Sequence, residues 1–322
     1  MRNELMYAHK RTPLRELRTH VEKDLRLLLS GSAPVFLLSA MLAIGFIAAY
    51  DASISFSQSY NYYSSLPDFD LNELYAETIF YYWSLISFLW SLIIVVIAAL
   101  FISQEKENGM LQYILTYRPR SWLVYISKLM TLFITIILIV LASIGIFQVV
   151  FFIVSSRSLP WTALLESCIY PIFAIVILSQ LCILVSLLIK KKNIGMIATV
   201  CIVLSLFATS TVLTSIGIDE MMERSSDVPS HGTNPEYFPV MYKFIIVLNP
   251  MFLFEGIVSI LDLSNDYQSG IFHQDYFQIL GPEGYCGYIA ITMLLYSLVS
   301  ISAIQRGIPR RLNDKDRRIE KT

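Results

Sequence analysis

The chain has 322 residues, of which 55% are hydrophobic and 15% charged, and its mean hydropathy is +0.59. Soluble domains carry roughly 25% charged residues, so this composition excludes an ordinary soluble protein and indicates a polytopic membrane protein. The net charge of −1 gives no sign of a nucleic-acid partner, and we expect none.

The N-terminal region predicts an amphipathic helix over residues 13–29. Thr12 followed by Pro13 is typical of a helix start, because proline suits the first helical position. Leucines and a valine then recur at helical spacing, with charged residues on the opposite face. We expect this helix to lie along the cytoplasmic headgroups; the alternative is a helix packed on a soluble domain.

Six apolar stretches can cross a membrane, since a spanning helix needs about 20 residues. They lie at about 34–50, 79–103, 129–154, 163–189, 194–216 and 285–304. Phe80, Tyr81, Tyr82 and Trp83 open the second span and predict an aromatic belt at the interface, with stacking on a sugar-like substrate as the alternative. Glu166, near the start of the fourth span, is either solvated at the interface or functional.

The positions of the basic residues orient the chain. Assigning 1–33, 104–128, 190–193 and 305–322 to the cytoplasm places 21 of the 24 Lys and Arg there. The positive-inside rule then puts both termini in the cytoplasm and predicts a single all-α integral membrane domain over 1–322. No Asn-x-Ser/Thr sequon occurs, which favours a bacterial or archaeal plasma membrane.

The outer segment 218–284 contains an apolar run that is broken by polar residues. Within it, residues 244–261 are interrupted by Asn249, Pro250, Glu255 and Gly256. A clean span does not carry such an interruption. We therefore predict short re-entrant outer helices between spans five and six, shielded by neighbouring protein.

The segment 104–128 is a polar island between spans two and three. Met110, Leu111, Ile114 and Leu115 fall on one face of a short helix, and Gln112, Tyr113 and Thr116 face away. Gly109 precedes this helix and Pro119 follows it. A soluble partner could push on such a helix; the alternative is a solvated loop whose apolar face rests on the headgroups.

The sequence predicts no catalytic, cofactor-binding or metal site, and so no enzyme on this chain alone. It lacks a GxxxxGK[ST] phosphate loop, HExxH and GxSxG, and its four histidines and four cysteines are scattered. Five of the six spans have no ionisable residue in their cores, which argues against an ion-coupled carrier. Energy for any transport must therefore arrive from outside the chain.

The island resembles the segment after the second span in ABC-2-type permeases, the membrane subunits of many ATP-driven exporters. The residues that carry this resemblance are Glu105, Glu107, Gly109, Leu111, Leu115, Pro119, Arg120 and Lys128. The N-terminal helix, the six spans and the outer Asn249-Pro250 are also similar to that family. The chain departs from it at Met110, where Thr is common, at Arg118, where a small residue is usual, and in lacking an Arg at the usual distance after Pro250.

The resemblance implies a transport subunit that works with separate ATPases. Two copies of an ABC ATPase, carrying ATP and Mg, would dock on 104–128 as a coupling helix, and a second permease, identical or homologous, would complete the pathway. Glu105, Glu107, Gly109, Leu111, Leu115 and Pro119 would form the ATPase seat. Two alternatives stay open, a stand-alone carrier or lipid-moving channel and a non-transporting membrane regulator.

Overall fold

A computed structural model describes residues 13–65, 69–107, 121–189, 192–225, 249–254 and 281–307. These residues form helices and short connections, with no strand among them. The α-helices are α1 Pro13–Ser30, α2 Ser32–Tyr63, α3 Leu71–Glu107, α4 Ser121–Ser155, α5 Trp161–Ser167, α6 Ile169–Leu188, α7 Lys192–Ser225 and α8 Gly281–Gly307. The described residues 249–254, which follow α7 and precede α8 in the chain, contain the 3-10 helix Pro250–Phe254.

Within the described residues, six helical stretches are long and apolar enough to cross a membrane, as the sequence predicted. They are Ser32–Tyr63, Leu71–Ile102, Trp122–Ser155, Trp161–Leu188, Asn193–Ser210 and Cys286–Ile304. Each overlaps one predicted span, and α5 and α6 together form the fourth. The described residues therefore confirm the all-helical class with six helices able to cross a membrane.

The helices α2 and α3 are longer than the predicted first and second spans. Helix α2 continues to Tyr63, and α3 already begins at Leu71. No proline or glycine interrupts residues 51–63, and Ser53 Oγ and Ser57 Oγ donate to carbonyls one turn earlier within α2. The predicted first span ended at about residue 50 because the sequence becomes polar there. A change in polarity ends the apolar run, but no residue near 50 is one that ends a helix.

The predicted N-terminal helix is present as α1 and is separated from α2 by a single residue. Gly31 has φ −78° and ψ 126°, an extended conformation between two helices. A Cβ on Gly31 would lie 3.0 Å from Pro34 Cδ, a tight approach that favours glycine at this turn. The chain therefore passes from α1 into the first membrane helix with almost no linker.

Helix α3 is central to the bundle and packs against α2, α6 and α7. Its aromatic residues explain part of this packing. The Trp83 indole donates to Ser167 Oγ at 2.9 Å, and the Trp90 indole donates to the Met41 carbonyl at 3.0 Å. Both rings are buried and hydrogen-bonded, as aromatic N–H groups in a core require.

The aromatic belt predicted at the start of span two is wrong in part. Tyr82 and Trp83 are buried inside the bundle, whereas Tyr81 is exposed and donates to Asp51 Oδ2. The sequence could not separate these roles, because ring-rich helix ends occur both at interfaces and against neighbouring helices.

Helices α2, α3 and α4 meet at Gly45. Tyr82 and Ser143 share a buried hydrogen bond of 2.5 Å between their hydroxyl oxygens. A Cβ on Gly45 would collide with Ser143 Oγ. A small residue here lets the helices pack closely, a common feature of helix contacts in membranes.

Candidate functional site: a buried charge cluster

Helix α1 lies where α3 ends and α4 begins. It packs against α4 and against α2. The helices that contribute to the site are α1, α3 and α4. Four charged side chains from the three helices meet there, and we call them the charge cluster: Lys23 and Asp24 of α1, Glu105 of α3 and Lys128 of α4.

The charge cluster alternates cations and carboxylates. Lys23 Nζ lies 3.0 Å from Glu105 Oε1 and 3.3 Å from Asp24 Oδ1. Lys128 Nζ lies 2.5 Å from Glu105 Oε2 and 3.9 Å from Asp24 Oδ2. In the Lys23–Glu105 pair the ammonium also donates a hydrogen bond to Glu105 Oε1. Each lysine therefore faces both carboxylates, and the four formal charges cancel.

Three of the four side chains are withdrawn from solvent. Side-chain exposure is 2% for Asp24, 5% for Glu105 and 3% for Lys128, against 30% for Lys23. Burying an unpaired charge is costly, so such residues persist only when paired. The arrangement satisfies that condition through contacts that no single helix could supply.

Neighbouring groups complete the surroundings of the charge cluster. Ser127 Oγ lies 3.1 Å from Asp24 Oδ2 and 2.9 Å from the Val124 carbonyl, so its one hydroxyl hydrogen is shared between α1 and its own helix. The Lys128 ammonium lies 4.4 Å from the centre of the Phe101 ring, at cation–π distance. Phe101 precedes Glu105 by one helical turn, so α3 contacts Lys128 at two levels.

The pKa shifts in the charge cluster follow from burial and pairing. Burial would raise the pKa of Glu105, but Lys128 and Lys23 outweigh it and hold that pKa below its ordinary value. Burial would lower the pKa of Lys23, but Glu105 and Asp24 raise it above its ordinary value. The pKa of His20 is lowered by burial and then by Lys23. Glu105 and Lys23 are thus held charged near neutral pH.

Glu105 is the predicted coupling residue that the structure describes most fully. Both of its carboxylate oxygens contact lysines of the same chain, and the residue is buried. Its carboxylate therefore points into the protein rather than toward a separate subunit. The role of Glu105 in an ATPase seat stays a prediction. Because both of its carboxylate oxygens already contact lysines of this chain, Glu105 is not positioned to pair with a basic group of a partner.

Most of the other predicted coupling residues lie outside the described part of the chain. Glu107 is the last residue of α3. Gly109, Leu111, Leu115 and Pro119 fall within 108–120, outside the described residues. The charge cluster contains Glu105, two residues before the end of α3 at Glu107, and Lys128, seven residues after the start of α4 at Ser121.

The predicted outer pair Asn249-Pro250 starts the 3-10 helix. Asn249 Nδ2 donates to the Leu206 carbonyl of α7 at 2.8 Å, and Asn249 Oδ1 accepts from the Met251 backbone N–H at 3.1 Å. Pro250 occupies the first helical position, where its missing N–H has no cost. Asn249 is thus a buried cap that joins this helix to α7, and the rest of the predicted re-entrant run lies outside the described residues.

Glu166, the acid noted near the start of the fourth span, is exposed at the end of α5. Asn72, Tyr75 and Thr162 line the same surface depression. The solvated and the functional interpretation of Glu166 both stay predictions.

Sequence reasoning missed Asp24. It lies three residues after Val21 and four before Leu28, so it occupies the apolar face of α1. An acid on the apolar face of an amphipathic helix is the local signal that could have marked Asp24 as a buried, paired charge. The helical spacing predicted Lys23 on the solvated face of α1 and gave Asp24 no role.

Neither comparison with known sequences finds a relative: no family model matches the chain, and no curated protein matches it. Among the described residues, no group of three or more His, Cys, Asp or Glu side chains is placed to hold a metal ion. The charge cluster itself pairs its carboxylates with lysines. Its chemistry is ionic attachment of three helices.

Proposed function

We propose that the chain is the membrane-spanning permease subunit of an ATP-binding cassette exporter. It binds no nucleotide; two copies of a separate ATPase, with ATP and Mg, drive it by docking on the coupling segment 104–128. A second permease, identical or homologous, completes the complex in a bacterial or archaeal plasma membrane, with both termini in the cytoplasm.

The observation that carries the proposal is the attachment of both ends of the coupling segment to α1. Glu105 lies near the start of 104–128 and Lys128 at its end, and both belong to the charge cluster. A segment that receives a push must be firmly held at both ends, because a loose loop would absorb the displacement without moving the membrane helices. The cluster provides that attachment.

The proposal divides the predicted seat into an inner and an outer part. Glu105 stabilises the segment from inside through Lys23 and Lys128. Glu107, Gly109, Leu111, Leu115 and Pro119 form the outer part that contacts the ATPase, with the two leucines filling an apolar groove and Gly109 allowing a sharp turn.

Movement would then pass from the ATPase to the bundle through α3 and α4. Helix α3 packs against α2, α6 and α7, so a displacement of its end reaches most of the described spans. ATP binding must favour one arrangement by several kcal/mol, since a shift from 1:99 to 99:1 requires about 5.5 kcal/mol.

The test is a tagged pull-down from native membranes in mild detergent, with mass spectrometry searching for a subunit that has a phosphate loop. We expect a stoichiometric ATPase with the wild-type chain and its loss in Leu115→Asp, because a charge in an apolar groove prevents docking. Gln112→Asp is the matched control, since it adds the same charge on the opposite face. Recovery of the chain alone, at good yield, would contradict the proposal and favour a stand-alone carrier.

A further inference from the structure

We infer that the charge cluster is a joint that fixes α1 to the ends of α3 and α4, so that α1 moves together with 104–128. Lys23, Asp24, Glu105 and Lys128 are its positioning residues. The joint follows from the described contacts alone, whereas the partner that would move it rests on the proposed function.

The first argument is the distribution of the charges over the helices. Helix α1 supplies one cation and one anion, and α3 and α4 supply the complementary pair. Each half is neutral by itself, but the Lys23–Glu105 and Asp24–Lys128 contacts cross between the halves. Separating α1 would break both contacts and leave Glu105 and Lys128 with fewer partners between α3 and α4, which is unfavourable.

The second argument is the short connection between α1 and α2. Only Gly31 separates the two helices, and its N–H donates to the Leu27 carbonyl at 3.2 Å. Helix α1 is thus attached to the first spanning helix at one end and to α3 and α4 through the cluster. A displacement of the coupling segment therefore reaches α2 by a path that does not use the contacts between spanning helices.

The third argument is that the neighbouring apolar packing does not need these charges. Leu28, one turn beyond Asp24, is buried on the same face of α1. Replacing the whole cluster by well-packed apolar residues would be neutral or stabilising, whereas removing only part of it leaves the remaining charges buried with fewer partners. Charges at these positions fix how α1 is aligned against α3 and α4, as buried polar groups do in some other proteins.

The test is hydrogen–deuterium exchange of the full-length chain in lipid nanodiscs, followed over α1 and over the spanning helices. The variant Lys23→Met with Asp24→Asn removes the α1 half of the cluster and leaves the neutral Glu105–Lys128 pair. We expect exchange over 13–30 to rise about tenfold, which corresponds to about 1.4 kcal/mol of local opening, while the spans keep their wild-type rates. Wild-type rates over 13–30 in this variant would overturn the joint.

The matched control is Glu22→Gln with Arg26→Met, which removes an exposed neutral pair from the same helix. We expect this control variant to keep wild-type exchange rates over 13–30. A rise as large as that of the cluster variant would show that any change on α1 loosens the helix, and would overturn the joint. If the cluster variant fails to fold, Ser127→Ala decides instead, because it removes one hydrogen bond to Asp24 and keeps all four charges. An increase confined to 13–30 supports the joint, and an unchanged rate rejects it.

A second arm separates the joint from the proposed function. In the complex recovered with its ATPase, non-hydrolysable ATP should change exchange over 13–30 in the wild-type chain. It should not do so in the Lys23→Met, Asp24→Asn variant, although the ATPase still co-purifies. If no ATPase is recovered at all, the proposed function fails while the nanodisc result on the joint stands; an equal response to ATP in both chains rejects the joint.

Discussion

Helix α1 carries two sets of ion pairs, which differ in their exposure to solvent and in the number of helices that they join. Arg26 and Glu22 are 2.6 Å apart, one turn from each other, and their side chains are 79% and 56% exposed. The charge cluster joins the same helix to two others and is nearly closed to solvent. An exposed pair competes with water and salt and contributes little, whereas a buried set makes every partner indispensable.

The largest effect should come from removing one buried cation. Lys128→Met leaves two carboxylates with only Lys23 between them, so we expect the free energy of unfolding to fall by about 3–5 kcal/mol. Equilibrium unfolding in mixed micelles measures it. A loss no greater than that of Arg26→Met would remove the distinction between the two sets.

A neutral double substitution should recover part of that loss. Glu105→Gln with Lys128→Met removes one charge of each sign and leaves the Lys23–Asp24 pair. We expect the double variant to be more stable than the sum of the two single losses predicts, by about 0.5–3 kcal/mol. Strict additivity in this double-mutant cycle would mean that the two side chains are not coupled.

The two sets should also differ in their response to acid. The folded pKa of Glu105 lies below its ordinary value of 4.5, so its contribution to stability is present above pH 4.5 and is lost as the pH falls through the folded pKa. Unfolding free energies of the wild-type chain and Glu105→Gln, compared from neutral pH downward, should converge in that window. A constant difference across the window would count against the ion pairs.

The smallest effect should come from the exposed pair. Glu22→Gln removes an i, i+4 contact on the solvent side of α1, and we expect a loss of about 0.3–0.5 kcal/mol that high salt abolishes. The same unfolding assay at low and high salt checks it. A loss comparable to that of Lys128→Met would show that exposure does not separate the two sets.

The predicted coupling segment shows where sequence reasoning succeeded and where it stopped. Glu105 and Lys128 were recognised as members of one polar segment, which the pattern of apolar and charged residues makes visible. Their partners on α1 were not recognised, because Lys23 and Glu105 are 82 residues apart and Ser127 and Asp24 are 103 apart. No local pattern relates positions so distant in one sequence.

The sequence by itself determined that this is an all-helical protein with six helices able to cross a membrane. Hydropathy over about 20 residues is a local property, and lipid requires every backbone polar group to be satisfied within the helix. Only the tertiary structure decided that Asp24 faces inward, that Glu105 pairs with Lys23 and Lys128, and that Tyr82 and Trp83 are buried. These outcomes depend on which helices become neighbours, and the free energy of a buried charge is set by the partners that those neighbours bring.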